Sequence, residues 1–182
     1  MQTIESPDLL KVTESTSSGV RSLQLSRMAI GMVTRGEKLI YHNDHSTTIA
    51  AGDVYLLQPG IHYVEHYPKD GCFEQIIFYL STDLLQQIIV NLSTSYAINA
   101  QSNHLCEQCR HHNFIVTTPT EMLAEFFHSV NRNFRLQTFR NNRISQQMKL
   151  SELVLIILSG EDNCLRKRLV SGADRYQTEF IQ

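Results

Sequence analysis

Residues 36–80 alternate short apolar runs with clusters of turn-forming residues, and this alternation restricts the fold more than any other feature of the sequence. Glycine supplies the positive φ angles of tight turns, and proline fixes φ and lacks a backbone N–H donor, so such clusters end strands. The breaks predict five strands, at 37–42, 47–50, 53–58, 61–67 and 72–80. We expect an antiparallel meander that closes into a barrel or jelly roll, with a candidate pocket inside.

The segments before residue 36 continue the strand pattern only in part. Apolar and polar residues alternate within 20–34, which predicts two further strands there. Residues 1–19 hold one short apolar patch around Leu9 and Leu10, followed by a polar run. We expect that run to form a loop or a mobile arm.

The segments after residue 80 change to helical spacing. Cap-type residues precede an apolar stripe that predicts a helix over 83–92, whereas 93–113 lose all periodicity and predict a loop. The segment 114–117 has strand character. A capping box at 118–121, with Pro119 at the first helical position, begins the first of two paired helices, and the second runs from about 142 to 158. A short helix over 162–170 ends near Gly172. The order of strands first and helices afterwards predicts an α+β fold, in which a β-barrel or jelly roll is followed by an α-helical hairpin and a short extra helix.

The composition restricts the class of protein and its compartment. A formal net charge of −2 falls far short of the basic surplus of a domain that holds DNA through phosphate contacts. Four scattered cysteines are too few for a disulfide scaffold in 182 residues. There is no apolar run of about 20 residues and no secretory signal at the N-terminus, so we expect a cytoplasmic protein with no membrane contact.

Three runs of the sequence resemble the N-terminal regulatory domain of AraC-type transcription regulators. They are residues 35–38, 51–60 and 73–85, and the segment Lys149-x-x-Glu152-Leu153 stands near a further element of the same pattern. The resemblance spans roughly residues 28 to 170. It implies a cupin-like β-barrel that receives a small-molecule effector or an antagonist protein, and a helical hairpin that forms a homodimer.

The resemblance also implies a C-terminal DNA-binding domain with two helix-turn-helix units, which is absent from these residues. We therefore expect the regulatory half of a larger protein that contacts DNA only through that domain. The expected divisions are a barrel over 1–117, a helical dimerisation subdomain over 118–172 and a tail or linker over 173–182.

Strand alternation and helical spacing suggest which residues line the pocket and the dimer interface. The sequence shows no catalytic signature, and we expect no cofactor. The predicted pocket residues are Tyr41, His62, Val64, His66, Glu74, Ile76 and Phe78. The predicted dimer residues are Phe127, Val130, Ile144, Met148 and Leu155.

The histidines of the strands admit an alternative, a small metal-dependent cupin enzyme such as an isomerase or a dioxygenase. The group comprises His42, His45, His62 and His66 with Glu65 and Glu74. The spacing of three between His42 and His45 places them on opposite faces of a regular strand, which disfavours a shared ion. A simple turn would set Glu65 across from Glu74, a repulsive pair without a cation. A further alternative is a docking module whose barrel is filled by its own side chains.

Two other groups of functional side chains lie outside the strands. Cys106 and Cys109 can form half of a zinc site, but a complete site needs two more ligands, and His104, His111 and His112 meet this need poorly. We expect a mobile, reduced loop and no metal. The arginines of the helices, including the run 166–168, are expected to lie on solvated helix faces.

Overall fold

The computed structural model describes residues 8–136 and 142–174, which form nine strands and five helices. The strands are β1 (Leu9–Glu14), β2 (Arg21–Leu25), β3 (Met28–Arg35), β4 (Glu37–His42), β5 (His45–Ala50), β6 (Val54–Leu57), β7 (Gly60–Tyr67), β8 (Phe73–Leu80) and β9 (Phe114–Thr117). The helices are α1 (Thr82–Tyr96), α2 (Glu107–His111), α3 (Glu121–Arg135), α4 (Arg143–Ser159) and α5 (Cys164–Asp174).

The strands form two antiparallel sheets, one of five strands in the order β1-β8-β3-β6-β9 and one of four in the order β2-β7-β4-β5. The pairs β1 with β8, β2 with β7, β3 with β6 and β4 with β5 are nested around the β4–β5 hairpin, as in a jelly roll. The predicted α+β fold is thereby confirmed, with two facing sheets in place of a closed barrel.

The predicted meander is wrong, because among the described strands only β4 and β5 pair with their neighbour in sequence. Gly36 lies where the chain leaves β3 for the opposite sheet, with a φ of +77°. A Cβ atom there would lie 2.5 Å from the Tyr67 carbonyl oxygen, so this crossing requires glycine. Glu65 and Glu74 consequently occupy different sheets, opposite Leu39 and Thr13 respectively.

Two hydrophobic cores lie on the two faces of the five-stranded sheet. One fills the space between the sheets and includes Ile40, Tyr55, Val64 and Phe73. The other joins the opposite face of the same sheet to the helices. In it, the Phe78 ring of β8 lies 5.7 Å from the Phe126 ring of α3, centroid to centroid.

Several element boundaries differ from those predicted. Residues Leu9–Glu14 form a strand, because β8 supplies a long-range partner that the sequence does not reveal. Helix α1 continues to Tyr96 and ends where Ala97 adopts a left-handed conformation, with a φ of 53°. Thr120 caps α3, so Pro119 precedes the helix.

Helix α5 continues past its predicted end. Gly172 lies within it, where a Cβ atom would lie 2.4 Å from the Met28 methyl carbon. Glycine is therefore required for close packing at this position and does not end the helix. No helix in the described ranges is long and apolar enough to cross a membrane.

Candidate functional site

A row of buried polar side chains crosses the space between the two sheets. The row consists of Lys38, Gln75 and His66, and it reaches the rim at Glu14 and Arg21. These side chains point inward because alternate residues of a strand face the same side of the sheet. Each of them alternates with another inward-facing residue of its own strand or is paired with an inward-facing residue of the neighbouring strand. The row therefore joins the two sheets by direct polar contacts.

Gln75 of β8 is the centre of this row. Its Oε1 atom accepts hydrogen bonds from Lys38 Nζ at 3.2 Å and from the Tyr55 hydroxyl at 2.7 Å. Its Nε2 atom lies 3.4 Å from His66 Nε2. Since Lys38 and His66 belong to the four-stranded sheet and Tyr55 and Gln75 to the other, one amide connects both layers.

Lys38 is a buried amine whose hydrogen-bond partner is neutral. Its side chain lies across the Tyr55 ring and is 1% exposed. Burial lowers the pKa of Lys38 to about 7, because the charged form loses its hydration. Within residues 8–136 and 142–174, no carboxylate lies within hydrogen-bond distance of this nitrogen.

His66 continues the row toward solvent. Its ring stacks on Phe73 with 4.1 Å between centroids, and burial lowers the pKa of His66 to about 4. Its Nδ1 atom lies 2.7 Å from Arg21 Nη2 and 3.1 Å from Glu14 Oε2, and it accepts from the guanidinium, which can only donate. Arg21 donates to the other oxygen of Glu14 at 2.7 Å, so the rim ends in an ion pair.

The predicted pocket residues lie on three different surfaces. His62, Val64 and His66 point between the sheets, as the pocket prediction requires. Ile76 and Phe78 lie on the opposite face of β8, in the core shared with the helices, and Glu74 on that face pairs with Lys11 at 3.4 Å. Tyr41 lies on the outer face of the four-stranded sheet, where its hydroxyl donates to Glu65 at 2.7 Å. The seven residues therefore do not line one cavity.

The predicted dimer residues are also divided between two environments. Phe127 and Val130 are completely buried in the helical core of the monomer. Ile144 and Met148 of α4 are 72% and 69% exposed, and Leu155 on the same helix is half-buried. Only the α4 residues are available to a partner.

The strand histidines do not converge on a common point. His62 donates to the Gln58 carbonyl oxygen at 2.7 Å, and burial lowers its pKa. His42 contacts Thr47 at 2.9 Å and packs against His112. Among the described residues, the only group of three or more side chains placed to bind a metal is His104, Cys106, Cys109 and Cys164.

The connection between α1 and β9 is fastened to α5, contrary to the expectation of a mobile loop. Arg166, 9% exposed, donates to the carbonyl oxygens of Asn99, Gln101 and Gly160 at 2.8 to 3.1 Å. Arg168 donates to the Cys109 and His112 carbonyl oxygens. The prediction that the run 166–168 is a solvated helix face is therefore wrong.

Four residues of these two groups were not predicted to be functional from the sequence, namely Lys38, Tyr55, Gln75 and Cys164. A signal for Lys38 was present, since Lys38, Ile40 and His42 alternate along β4 and a lysine in an inward series is unusual. Cys164 gave no local signal, because it lies far along the chain from Cys106 and Cys109.

The jelly roll with helices packed on one sheet is a cupin-like fold. The sequence matches the family model of the ExsA N-terminal regulatory domain over residues 28–166, and the chain belongs to this family. A search of curated proteins finds no match.

Solved structures share the fold at low sequence identity. A crystal structure of apo ToxT from Vibrio cholerae strain SCE256 is 8% identical, with a TM-score of 0.58, and the match covers 85% of this chain and 57% of that one. The AraC-like transcriptional activator CuxR is 10% identical, with a TM-score of 0.50, and the match covers 86% and 54% of the two chains. The chain thus spans little more than half the length of these proteins.

Proposed function

We propose that the chain is the signal-receiving and dimerising part of an AraC-type transcription regulator, and that its signal is an acidic small molecule bound beside Lys38. Membership of the regulatory-domain family supports the first part. One observation carries the second part, a buried amine held by a neutral amide and an aromatic face. Such a nitrogen lacks the counter-charge that buried cations ordinarily have.

A carboxylate ligand would supply this counter-charge. It would raise the pKa of Lys38 and stabilise the protonated form in the low-dielectric space between the sheets. The core between the sheets includes the apolar residues Ile40, Val64 and Phe73, against which a hydrocarbon tail would pack once it enters. The effector class we propose is therefore a monocarboxylate with an apolar body.

The same geometry gives a route from the effector to the helices. A ligand that displaces Gln75 from Lys38 acts on β8, which carries Phe78 three residues further along its helix-facing side. Phe78 packs against Phe126 of α3. An effector that binds one arrangement of β8 better than another shifts the population of helix arrangements by its difference in affinity.

Dimerisation through α4 is supported by the spacing of its exposed apolar residues. Ile144 and Met148 are exposed and Leu155 is half-buried, and their spacings of four and seven residues place them along one face of the helix, the arrangement with which a helix presents a seam to a partner helix. We propose a homodimer joined along this seam. In this proposal residues 1–117 receive the signal, 118–172 dimerise and 173–182 lead toward a DNA-binding domain, which acts on DNA in the cytoplasm.

We propose no catalytic role. The metal-dependent enzyme alternative needs strand histidines that share an ion, whereas His62 and His66 hold separate hydrogen-bond partners. Elemental analysis tests this directly. A stoichiometric metal lost on replacing His62 and His66 by alanine would favour the enzyme.

The effector proposal is tested by titration calorimetry with straight-chain monocarboxylates of graded length, octanoate among them, and with octanol as the uncharged control. We expect octanoate to bind the protein and to bind Lys38→Met at least tenfold more weakly. Lys69→Met, which removes an exposed lysine, should bind as the unmodified protein does. Equal affinity for octanoate and octanol, equal affinity in Lys38→Met, or no binding across the series would refute the acidic effector and favour a protein signal.

A further inference from the structure

Four side chains with metal-binding atoms meet where the α1–β9 connection passes the beginning of α5. They are His104, Cys106, Cys109 and Cys164, and their ligand atoms all lie within 4.8 Å of one another. The Cys106 and Cys164 sulfurs are 3.0 Å apart, and His104 Nε2 lies 3.2 Å from the Cys164 sulfur. Two parts of the chain, residues 104–109 and the first residue of α5, thus converge on one point.

Zinc binds thiolate sulfur at about 2.3 Å and imidazole nitrogen at about 2.0 Å, so ligand atoms around one tetrahedral ion lie about 3.5 to 3.8 Å apart. The distances in this cluster lie within about 1 Å of that range, so small side-chain movements would bring all four atoms onto one ion. Three thiolates with one imidazole form a common donor set of structural zinc sites. We propose that His104, Cys106, Cys109 and Cys164 bind one Zn²⁺ ion that fastens the α1–β9 connection to α5.

The surroundings of the cluster support the thiolate form that zinc requires. The backbone N–H of Cys109 donates to the Cys106 sulfur at 3.2 Å, as donors to metal-bound thiolates do. Three thiolates and one Zn²⁺ leave a net charge of −1, and Arg166, Lys167 and Arg168 follow Cys164 on α5. The ion removes the repulsion that prevents three adjacent thiols from ionising together.

Supporting contacts hold the ligand residues in place without the ion. Arg168 fixes the backbone of Cys109 by donating to its carbonyl oxygen. Asp162 accepts hydrogen bonds from the Ser102 hydroxyl and, at 2.8 Å, from the Asn103 N–H, next to His104. Because the connection is already shaped, zinc finds a prearranged site.

The neighbouring histidines are not part of the cluster. His111 pairs with Glu107 at 3.1 Å, and His112 packs against His42 and Phe114. The ligands missing from the CxxC pair are therefore His104 and Cys164. His111 offers a matched control residue on the same connection.

The site is independent of the effector proposed for Lys38 and would act on the C-terminal helix of the domain. Helix α5 is the last element before residues 175–182. A clamp between its first residue and the α1–β9 connection stabilises the position of α5 against the sheet and the other helices. Loss of the metal is expected to lower the free energy of unfolding of this region first.

The experiment measures metal directly on the reduced protein, purified without chelators or a histidine tag. We expect mass spectrometry of the elements to find close to one zinc per chain. Cobalt exchanged into the site should give the intense ligand-field bands of tetrahedral coordination and a thiolate-to-cobalt charge-transfer band. Cys164→Ser and Cys106→Ser should each weaken zinc binding at least a hundredfold in competition with a chelator, while Cys72→Ser and His111→Ala leave it unchanged.

A rescue variant separates ligand loss from misfolding. His104→Cys keeps four ligands, so it should retain zinc while shifting the cobalt bands toward those of four thiolates. Three results would overturn the proposal. These are reduced protein that takes up no stoichiometric zinc when supplied with it, a zinc content that persists in Cys164→Ser, and formation of a Cys106–Cys164 disulfide in place of metal binding.

Discussion

The Nζ atom of Lys38 lies 4.4 Å from the centre of the Tyr55 ring, although the two residues belong to different sheets. Both donate to the same oxygen of Gln75, so the amine, the phenol and the amide form one unit across the domain. The ring faces the nitrogen and stabilises its charge, which partly offsets the lost hydration.

Replacing Lys38 by methionine is expected to stabilise the ligand-free domain by about 1 to 4 kcal/mol at pH 7, because a poorly paired buried charge is removed and the side-chain volume is kept. Urea unfolding followed by circular dichroism measures this change. Lys69→Met is the matched control, and its effect should be small because Lys69 forms an exposed ion pair.

The pH dependence of stability gives an independent test of Lys38. The folded pKa is lowered to about 7, below the unfolded value of about 10.4, so between these values the unfolded chain binds a proton that the folded chain does not. The stability of the unmodified protein should therefore rise from pH 7 to pH 10 relative to Lys38→Met, by up to about 1.4 kcal/mol per pH unit. Parallel pH curves for the two proteins would contradict a lowered Lys38 pKa.

Strand positions could be read from the sequence because turn chemistry is local, whereas strand partners could not. The prediction of β4 and β9 matches the structure residue for residue, since turn-forming or polar residues mark their ends. Pairing of β1 with β8 joins residues 59 to 69 positions apart in the chain, and neither segment encodes that register locally.

The inward-facing residues of β8, which belong to the candidate site, could not be predicted from the sequence either. The sequence of β8 is apolar on both faces, because one face packs on the facing sheet and the other on the helices. Alternation therefore could not decide between Gln75 and Glu74, or between Ile77 and Ile76, as the inward residues. A strand covered on both sides needs its partners before its faces can be assigned.

Gly31→Ala is expected to destabilise the domain by about 1 to 3 kcal/mol through overpacking. An added methyl carbon would lie 2.5 Å from the Tyr55 ring and hydroxyl, and 2.7 Å from the Ile76 carbonyl oxygen. Thermal unfolding measures the loss. In the background of Tyr55→Leu the same substitution should cost less, and equal costs in both backgrounds would show that the ring is not the obstacle.

Arg166→Met is expected to release residues 97–103 from α5, because the Asn99 and Gln101 carbonyl oxygens lose a charged donor. Hydrogen exchange should show faster exchange of the amides in this segment, with a loss of about 2 to 4 kcal/mol in stability. Arg110→Met, an exposed arginine on α2, is the control. Unchanged exchange in 97–103 would argue against the role assigned to Arg166.

Met148→Glu is expected to convert the proposed dimer to a monomer, because it places a charge in the centre of the α4 seam. Met148 is 69% exposed in the monomer, so the substitution should change monomer stability by no more than about 0.5 kcal/mol. Sedimentation velocity over a range of concentrations measures the association state. Val90→Glu is the matched control, since Val90 is an apolar residue of α1 with 59% exposure away from this helix. Two results would refute the α4 seam: an unmodified protein that sediments as a monomer, and a dimer that survives both Met148→Glu and Ile144→Glu. Dissociation by Met148→Glu but not by Val90→Glu would locate the interface on this face of α4.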